Sequence, residues 1–361
     1  MSDANELISF IASMSGEGNL RVEENLGEGY VRLRVSEAER RQAKHDIQHV
    51  EDIVIEMLRN ARDAGADKVY LATTKEDGVR TFVFLDNGSG VPQDMQERIF
   101  DARVTSKLES MKMDRWGVHG RGMALFSIKQ NTDEARVVAS DVDLGSVFKV
   151  SVATDRLGER ADQSSWPQAV KDEDGHYVCA RGPHNIIRAA CEFALEELRA
   201  CDVYLGSPSE IAATLHAQAS SRLDASRLLF IDDEAELPVV DRLGLASDAE
   251  DFIRICSGLG LEMSERTAHR ILAGQIKPVR GVTARLLRER DSSSHASAPV
   301  DLAKDRRGLR IAKDDMAQFS RAVERDFNDL ASRYYLNLCG DPKIRVSRDR
   351  ITVTFDLAKE E

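Results

Sequence analysis

The order and spacing of three short motifs between Glu51 and Asp141 constrain the fold more than any other feature of the chain. The first is Glu51-Asp-Ile-Val-Ile-Glu-Met-Leu-Arg-Asn-Ala-Arg-Asp-Ala-Gly-Ala66. Ile53, Met57 and Ala61 recur every four residues, with Val54, Leu58 and Ala64 beside them, and Gly65 supplies a stop. That periodicity predicts a helix. Glu56 and Asn60 are one turn apart, so both side chains project from one face. A carboxylate and a carboxamide so placed suit a magnesium-phosphate site. The amide oxygen is a hard ligand, and the carboxylate can orient or activate a water. The same pair also occurs on the polar face of an ordinary amphipathic helix, so it does not decide the matter alone.

The second motif follows a β-type run, Val79-Arg-Thr-Phe-Val-Phe-Leu85, and reads Asp86-Asn87-Gly88-Ser89-Gly90. An aspartate at a strand end followed by Gly88 and Gly90 lets the backbone turn sharply and approach a ligand. A carboxylate there can accept from an adenine amino group. The third motif, Gly117-Val118-His119-Gly120-Arg121-Gly122, precedes Met123–Lys129, which reads as a helix. Glycines at a helix N-terminus offer free N–H groups and a positive dipole end to phosphate. Arg121 adds positive charge inside that loop.

Together these motifs resemble the GHKL family (gyrase, Hsp90, histidine kinase, MutL), over Arg40 to Ala153. Glu56, Asn60 and Asp63 match its first box, Asp86-x-Gly88-x-Gly90 its second, and Gly117-x-x-Gly120-x-Gly122 its third. Gly145-Ser146 stands where the family usually has Gly-Thr. Thr105-Ser106-Lys107 resembles the Thr-Ser-Lys of the mismatch-repair members. The resemblance implies an α+β chain opening with a Bergerat-type two-layer α/β sandwich that takes ATP and Mg²⁺. It implies that Asn60 holds the metal, Asp86 reads adenine, Gly120 and Gly122 wrap the phosphates, and Glu56 is the general base in the hydrolysing branches. Asp63, Gly88, Gly90, Gly117, Arg121 and Ser146 complete the implied nucleotide set. Lys107 either approaches phosphate or is an exposed lysine. Histidine kinases also carry an acid at the position of Glu56, so Glu56 alone does not prove hydrolysis.

The full chain of 361 residues leaves room for further parts. Residues 1–155 read as the ATP-binding domain with an N-terminal arm. Residues 156–245 read as a second α/β region, 246–291 as a small basic helical module, and 300–361 as a long helix and β-hairpin. The arm, with a short helix over Glu6–Met14, fits either a swap across an ATP-bound homodimer, as in several family members, or a helix packed on its own subunit. Ser36 with Glu39, and Ser207-Pro208-Ser209-Glu210, are capping-box patterns that open helices. Pro92 to Phe100 reads as a helix, and the polar stretch from Leu157 to Tyr177 as a surface connection.

Net charge is −12, which argues against nonspecific nucleic-acid binding by the whole surface. Residues 264–290 differ: Arg266, Arg270, Lys277, Arg280, Arg285, Arg288 and Arg290 cluster among short helices with glycine turns. That fits a DNA-binding helix-turn-helix-like module, with a resemblance to the helix-two-turn-helix insert of type VI topoisomerase B subunits, or a helical subdomain with solvated arginines. No run of roughly eighteen apolar residues reads as a membrane span. The five cysteines form no metal-type pair, so a cytoplasmic location is expected.

Three functions follow: a slow Mg²⁺-dependent ATPase of the gyrase/MutL/topoisomerase-VI type, a histidine- or serine-kinase relative, or a non-hydrolysing, chaperone-like ATP sensor. His45 lies too close to Asn60 to belong to the separate phosphoacceptor hairpin that the kinase reading needs.

Overall fold

Nearly unbroken apolar runs at Val69–Ala72 and Phe82–Leu85 call for strands buried on both faces, and the structure places them at the centre of a five-stranded sheet. The computed structural model describes residues 22–106, 112–119, 122–160, 162–198, 200–223 and 233–287, then 316–331 in part, 336–340, 342–346 and 351–359. It forms two compact units, Met1–Arg290 and Asp291–Glu361.

In the first unit the strands are β1 (Val22–Gly27), β2 (Tyr30–Leu33), β3 (Lys68–Glu76), β4 (Val79–Asp86), β5 (Val104–Thr105), β6 (Lys112–Asp114), β7 (Gly117–His119), β8 (Glu134–Ser140), β9 (Ser146–Ala153), β10 (Gln168–Lys171), β11 (Tyr177–Arg181) and β12 (Asp202–Gly206). Its helices are α1 (Glu37–Asp46), α2 (Val50–Asp63), α3 (Ala124–Asn131), α4 (Ile186–Glu196), α5 (Pro208–Arg222), α6 (Ala249–Gly258) and α7 (Glu265–Leu272). Residues 282–287 are also helical. The main sheet runs β12-β3-β4-β9-β8, with β12 parallel to β3 and the other pairs antiparallel. Asp77 and Gly78 close the β3–β4 hairpin, both with positive φ (48° and 79°). This is the backbone that a tight hairpin between right-twisted strands requires.

Alternation along the strands sorts the core into two layers. Val69, Leu71, Phe82, Phe84, Phe148 and Val150 face one cluster, with Ile53, Met57 and Leu58 of α2, Ile128 of α3 and Phe193 of α4. This is the expected two-layer sandwich. Tyr70, Ala72, Val83, Leu85 and Val147 face the opposite way, under Ile211 and Leu215 of α5, Phe252 and Ile255 of α6, and Ile271 of α7. The chain beyond β9 therefore adds an edge strand and a third, helical layer on the reverse face. Gly281 extends the edge by one bridge to Tyr204.

Local signals hold where the chemistry is local. Ser36 with Glu39 and Ser207 with Glu210 both form capping boxes, and Asn185 and Ser264 cap α4 and α7. Pro92 to Phe100 differs from expectation. Two 3₁₀ turns, Gln93–Met95 and Arg98–Phe100, replace one helix. They turn Met95, Ile99 and Phe100 all into the core. The polar stretch after Leu157 contains the β10–β11 hairpin, whose Val170 and Val178 stay exposed. That exposure is why no apolar alternation marked it.

In the second unit, β13 (Leu336–Leu338) pairs with β16 (Leu357–Lys359), and β14 (Lys343–Val346) pairs with β15 (Ile351–Thr354). Phe327 stacks on Phe355 at 4.0 Å. Residues 1–21, including the Glu6–Met14 helix, lie outside the described residues. Among the described residues, no helix is long and apolar enough to cross a membrane.

Candidate functional site

Helix α2 is the floor of the site. Its apolar stripe is buried against the sheet, which turns Glu56, Asn60 and Asp63 to a common side. They line one cavity of about 470 Å³ together with Asp86, Gly90, Gly122 and Ser146. Gly88 does not line it; its N–H donates to Asp86 Oδ1 at 2.8 Å and holds the turn. Gly117 lies in β7. Lys107, Gly120 and Arg121 lie outside the described residues.

The glycines at the rim are required by space as well as by backbone. Gly90 has φ +70°, and a Cβ there would sit 1.8 Å from the Asp141 carbonyl oxygen. Gly145 has φ +77°, with the Asp86 oxygen at 2.1 Å from such a Cβ. The turn at Asp86–Gly90 is thus clamped between the end of α2, where Ser89 N donates to Ala64 O (2.9 Å), and the Asp141–Gly145 turn, where Asp143 N donates to Ser89 O (2.8 Å). Gly122, φ +67°, passes 2.6 Å from the Val104 oxygen by the same measure, and its own oxygen accepts from Arg103 N. Gly90→Ala is expected to destabilise the protein by about 3 kcal/mol, from strain plus a backbone clash. Gly78→Ala, in an open turn with nothing within 4 Å, should cost about 1 kcal/mol. Urea unfolding of the two variants checks the contrast.

Along the α2 wall of the cavity, which Arg59 itself lines, runs a buried charge network that sequence reasoning does not reach. Arg59 Nη1 donates to Glu56 Oε1 (2.8 Å), and its Nε donates to Asp114 Oδ2 (3.0 Å). Arg62 donates to Asp63 (2.9 Å), Asp114 (3.0 Å) and Glu197 (3.0 Å). Burial opposes the Arg62 charge, yet its hydrogen bonds to Glu197, Asp63 and Asp114 outweigh it and hold the guanidinium protonated more firmly than usual. Trp116, which lines the cavity, stacks on Phe193 of α4 with centroids 6.3 Å apart. Two arginines, Arg59 and Arg62, within a mostly buried helix were the available signal. Their partner Asp114 is unremarkable in sequence.

The donor set suits a magnesium nucleotide. Asn60, Glu56, Asp63 and Asp86 are hard oxygen donors on one wall, glycine backbone forms the rim, and the volume falls within the roughly 300–1,000 Å³ of small-molecule sites. His45 is exposed on α1, and it does not line the cavity. Arg266, Arg270, Lys277 and Arg280 are exposed on and after α7, while Arg285 lies over the Trp166 ring at 3.9 Å. Arg288 and Arg290 lie outside the described residues.

Comparison with known proteins agrees with this geometry. Residues 47–140 match the family described as histidine kinase-, DNA gyrase B- and HSP90-like ATPases. DNA mismatch repair protein MutL of Staphylococcus aureus, in strains Newman and JH1, is 28% identical over 136 residues, 35% of this chain. The chain spans about 20% of the length of these relatives. ATP binding is thereby supported at the level of the family. With Glu56, Asn60 and Asp63 of the first motif, Asp86 and Gly90 of the second and Gly122 of the third on one cavity, the segment 47–140 is a domain of the GHKL superfamily.

Proposed function

We propose that the chain binds ATP with Mg²⁺ in this cavity and hydrolyses it slowly, in the manner of the gyrase, MutL and topoisomerase-VI branch, with a homodimer as the acting form and DNA as the coupled partner. The observation that carries this reading is the convergence of Glu56, Asn60, Asp63, Asp86 and Ser146 on one glycine-rimmed cavity. Asn60 would hold the metal, which when bound supplies positive charge against the phosphates. Asp86 is the acceptor for the adenine amino group. Gly90 and Gly122 let the backbone come close to the ligand. Glu56 takes a proton from the attacking water.

Phosphate release from ATP, measured with Mg²⁺ and with chelator, with and without DNA, tests the reading. Mg²⁺-dependent release supports it. Saturable ATP binding without turnover under any of these conditions replaces hydrolysis by nucleotide sensing. Transfer of γ-label to protein marks the kinase branch instead.

The DNA part rests on the exposed arginines of α7 and the loop after it. Each phosphate contact contributes about −0.9 to the slope of log affinity against log salt. Arg266→Glu combined with Arg270→Glu is expected to flatten that slope by about 2 and to weaken binding about tenfold or more near 0.1 M salt. Unchanged affinity and slope would return these arginines to a solvated surface.

A further inference from the structure

Arg59 occupies an unusual position: a buried cation gripped from two sides. Its side chain is 3% exposed. It reaches Glu56 on its own helix and Asp114 from the tip of the β6–β7 hairpin. We propose that Arg59 is a positioning residue for Glu56, and that Asp114 holds Arg59 in the orientation that makes this work. The inference rests on the reading of Glu56 as the base and extends it to the residues that aim it.

A guanidinium is a planar fork of five donors, so it can be fixed along one edge while another edge presents a bond. Here Nε is fixed by Asp114 Oδ2 at 3.0 Å, and Nη1 holds Glu56 Oε1 at 2.8 Å. The fixing point is itself fixed. Asp114 Oδ2 also accepts from Arg62 Nη1 (3.0 Å), and Asp114 Oδ1 accepts from Trp116 N (3.0 Å). The next two residues of the hairpin tip dock on α4, Arg115 to Glu192 at 3.3 Å and Trp116 against Phe193.

Glu56, by contrast, is a partly exposed glutamate at the cavity wall, with its side chain 22% exposed. A side chain of that length samples several rotamers unless something holds it. A misplacement of about 1 Å at a reacting group costs about 10²-fold in rate. Holding one carboxylate oxygen from a buried donor removes that freedom before substrate arrives. The contact also makes the hairpin tip part of the machinery, because a shift of Asp114 would release Arg59 and, through it, Glu56.

The test uses the full chain carrying Arg59→Met, Arg59→Lys, Asp114→Asn, and Arg59→Met with Asp114→Asn. Phosphate release, ATP affinity by calorimetry and thermal melting are measured for each. Arg59→Met is expected to lower kcat by about 10- to 100-fold and ATP affinity by much less, because Arg59, although it lines the cavity, spends Nη1 on Glu56 and Nε on Asp114. Lysine should recover part of kcat. Asp114→Asn should lower kcat in the same direction by less. The double variant should be no slower than Arg59→Met alone, as expected of one chain of contacts.

An unchanged or raised kcat in folded Arg59→Met overturns the proposal. So does a parallel loss of kcat, ATP affinity and melting temperature with no rescue by lysine, which marks a purely structural role. If Arg59→Met does not fold, Asp114→Asn decides, and wild-type kcat in that variant overturns the proposal. The two readings fail differently. Wild-type protein that releases no phosphate removes the proposed activity and this inference together. Active wild type, inactive Glu56→Ala and wild-type-like Arg59→Met remove this inference alone.

Discussion

Glu56→Ala is expected to stop phosphate release while ATP still binds. General-base catalysis is worth about 10²–10⁴-fold, so kcat should fall by at least about 10²-fold. Binding should change little, because Asn60, Asp86, Ser146 and the glycine rim remain on the cavity wall. The substitution is also tolerable for the fold. Arg59 keeps its bond to Asp114, so the buried guanidinium is not stranded, and a stranded buried charge is the usual reason such a change unfolds a protein. Phosphate release and calorimetry on the same preparation check both halves. Turnover that survives at the wild-type rate would remove Glu56 from the chemistry.

Asp86→Asn should act on the other half, weakening ATP binding by about 3 kcal/mol, or roughly 100-fold. Asp86 is buried at the end of β4 and presents an acceptor to the cavity. Asparagine can keep the bond from Gly88 N through its amide oxygen, which leaves its NH₂ group where the carboxylate's second oxygen had been. That group would meet the adenine amino group donor to donor. The shape barely changes, so the loss should appear in affinity and not in the urea midpoint. ADP and ATP should lose affinity together, because the base is common to both. Equal loss of stability and affinity would show that Asp86 only supports the turn.

Much of this was legible in the sequence, for a physical reason. The helix over Val50–Asp63, its Gly65 stop, the strand ending at Asp86 and both capping boxes are signals between residues a few positions apart. Side-chain projection at helical spacing then brings Glu56, Asn60 and Asp63 to one wall without any knowledge of the rest. The parts that were not legible depend on distant pairing. Nothing local in Asp202–Gly206 says that it will lie parallel to Lys68–Ala72. Phe82-Val83-Phe84-Leu85 has no polar alternation, but the two-layer reading left the second sheet face without a helical cover, and the run does not say what that cover is. α5, α6 and α7 supply that cover from residues read as two separate regions, 156–245 and 246–291. Asp114 shows the same limit at the site. Its bonds to Arg59 and Arg62 cross more than fifty residues, and nothing local in the sequence marks it.

The central claim is that one cradle of oxygen donors and bent glycine backbone takes an adenine nucleotide. Isothermal titration calorimetry of the folded full chain with ATP and Mg²⁺ tests it most directly, with Asp86→Asn as the paired control. The prediction is saturable one-site binding by wild type, reduced about 100-fold in the variant. Folded wild-type protein that takes up no adenine nucleotide, or an Asp86→Asn variant that binds as wild type does, would contradict it.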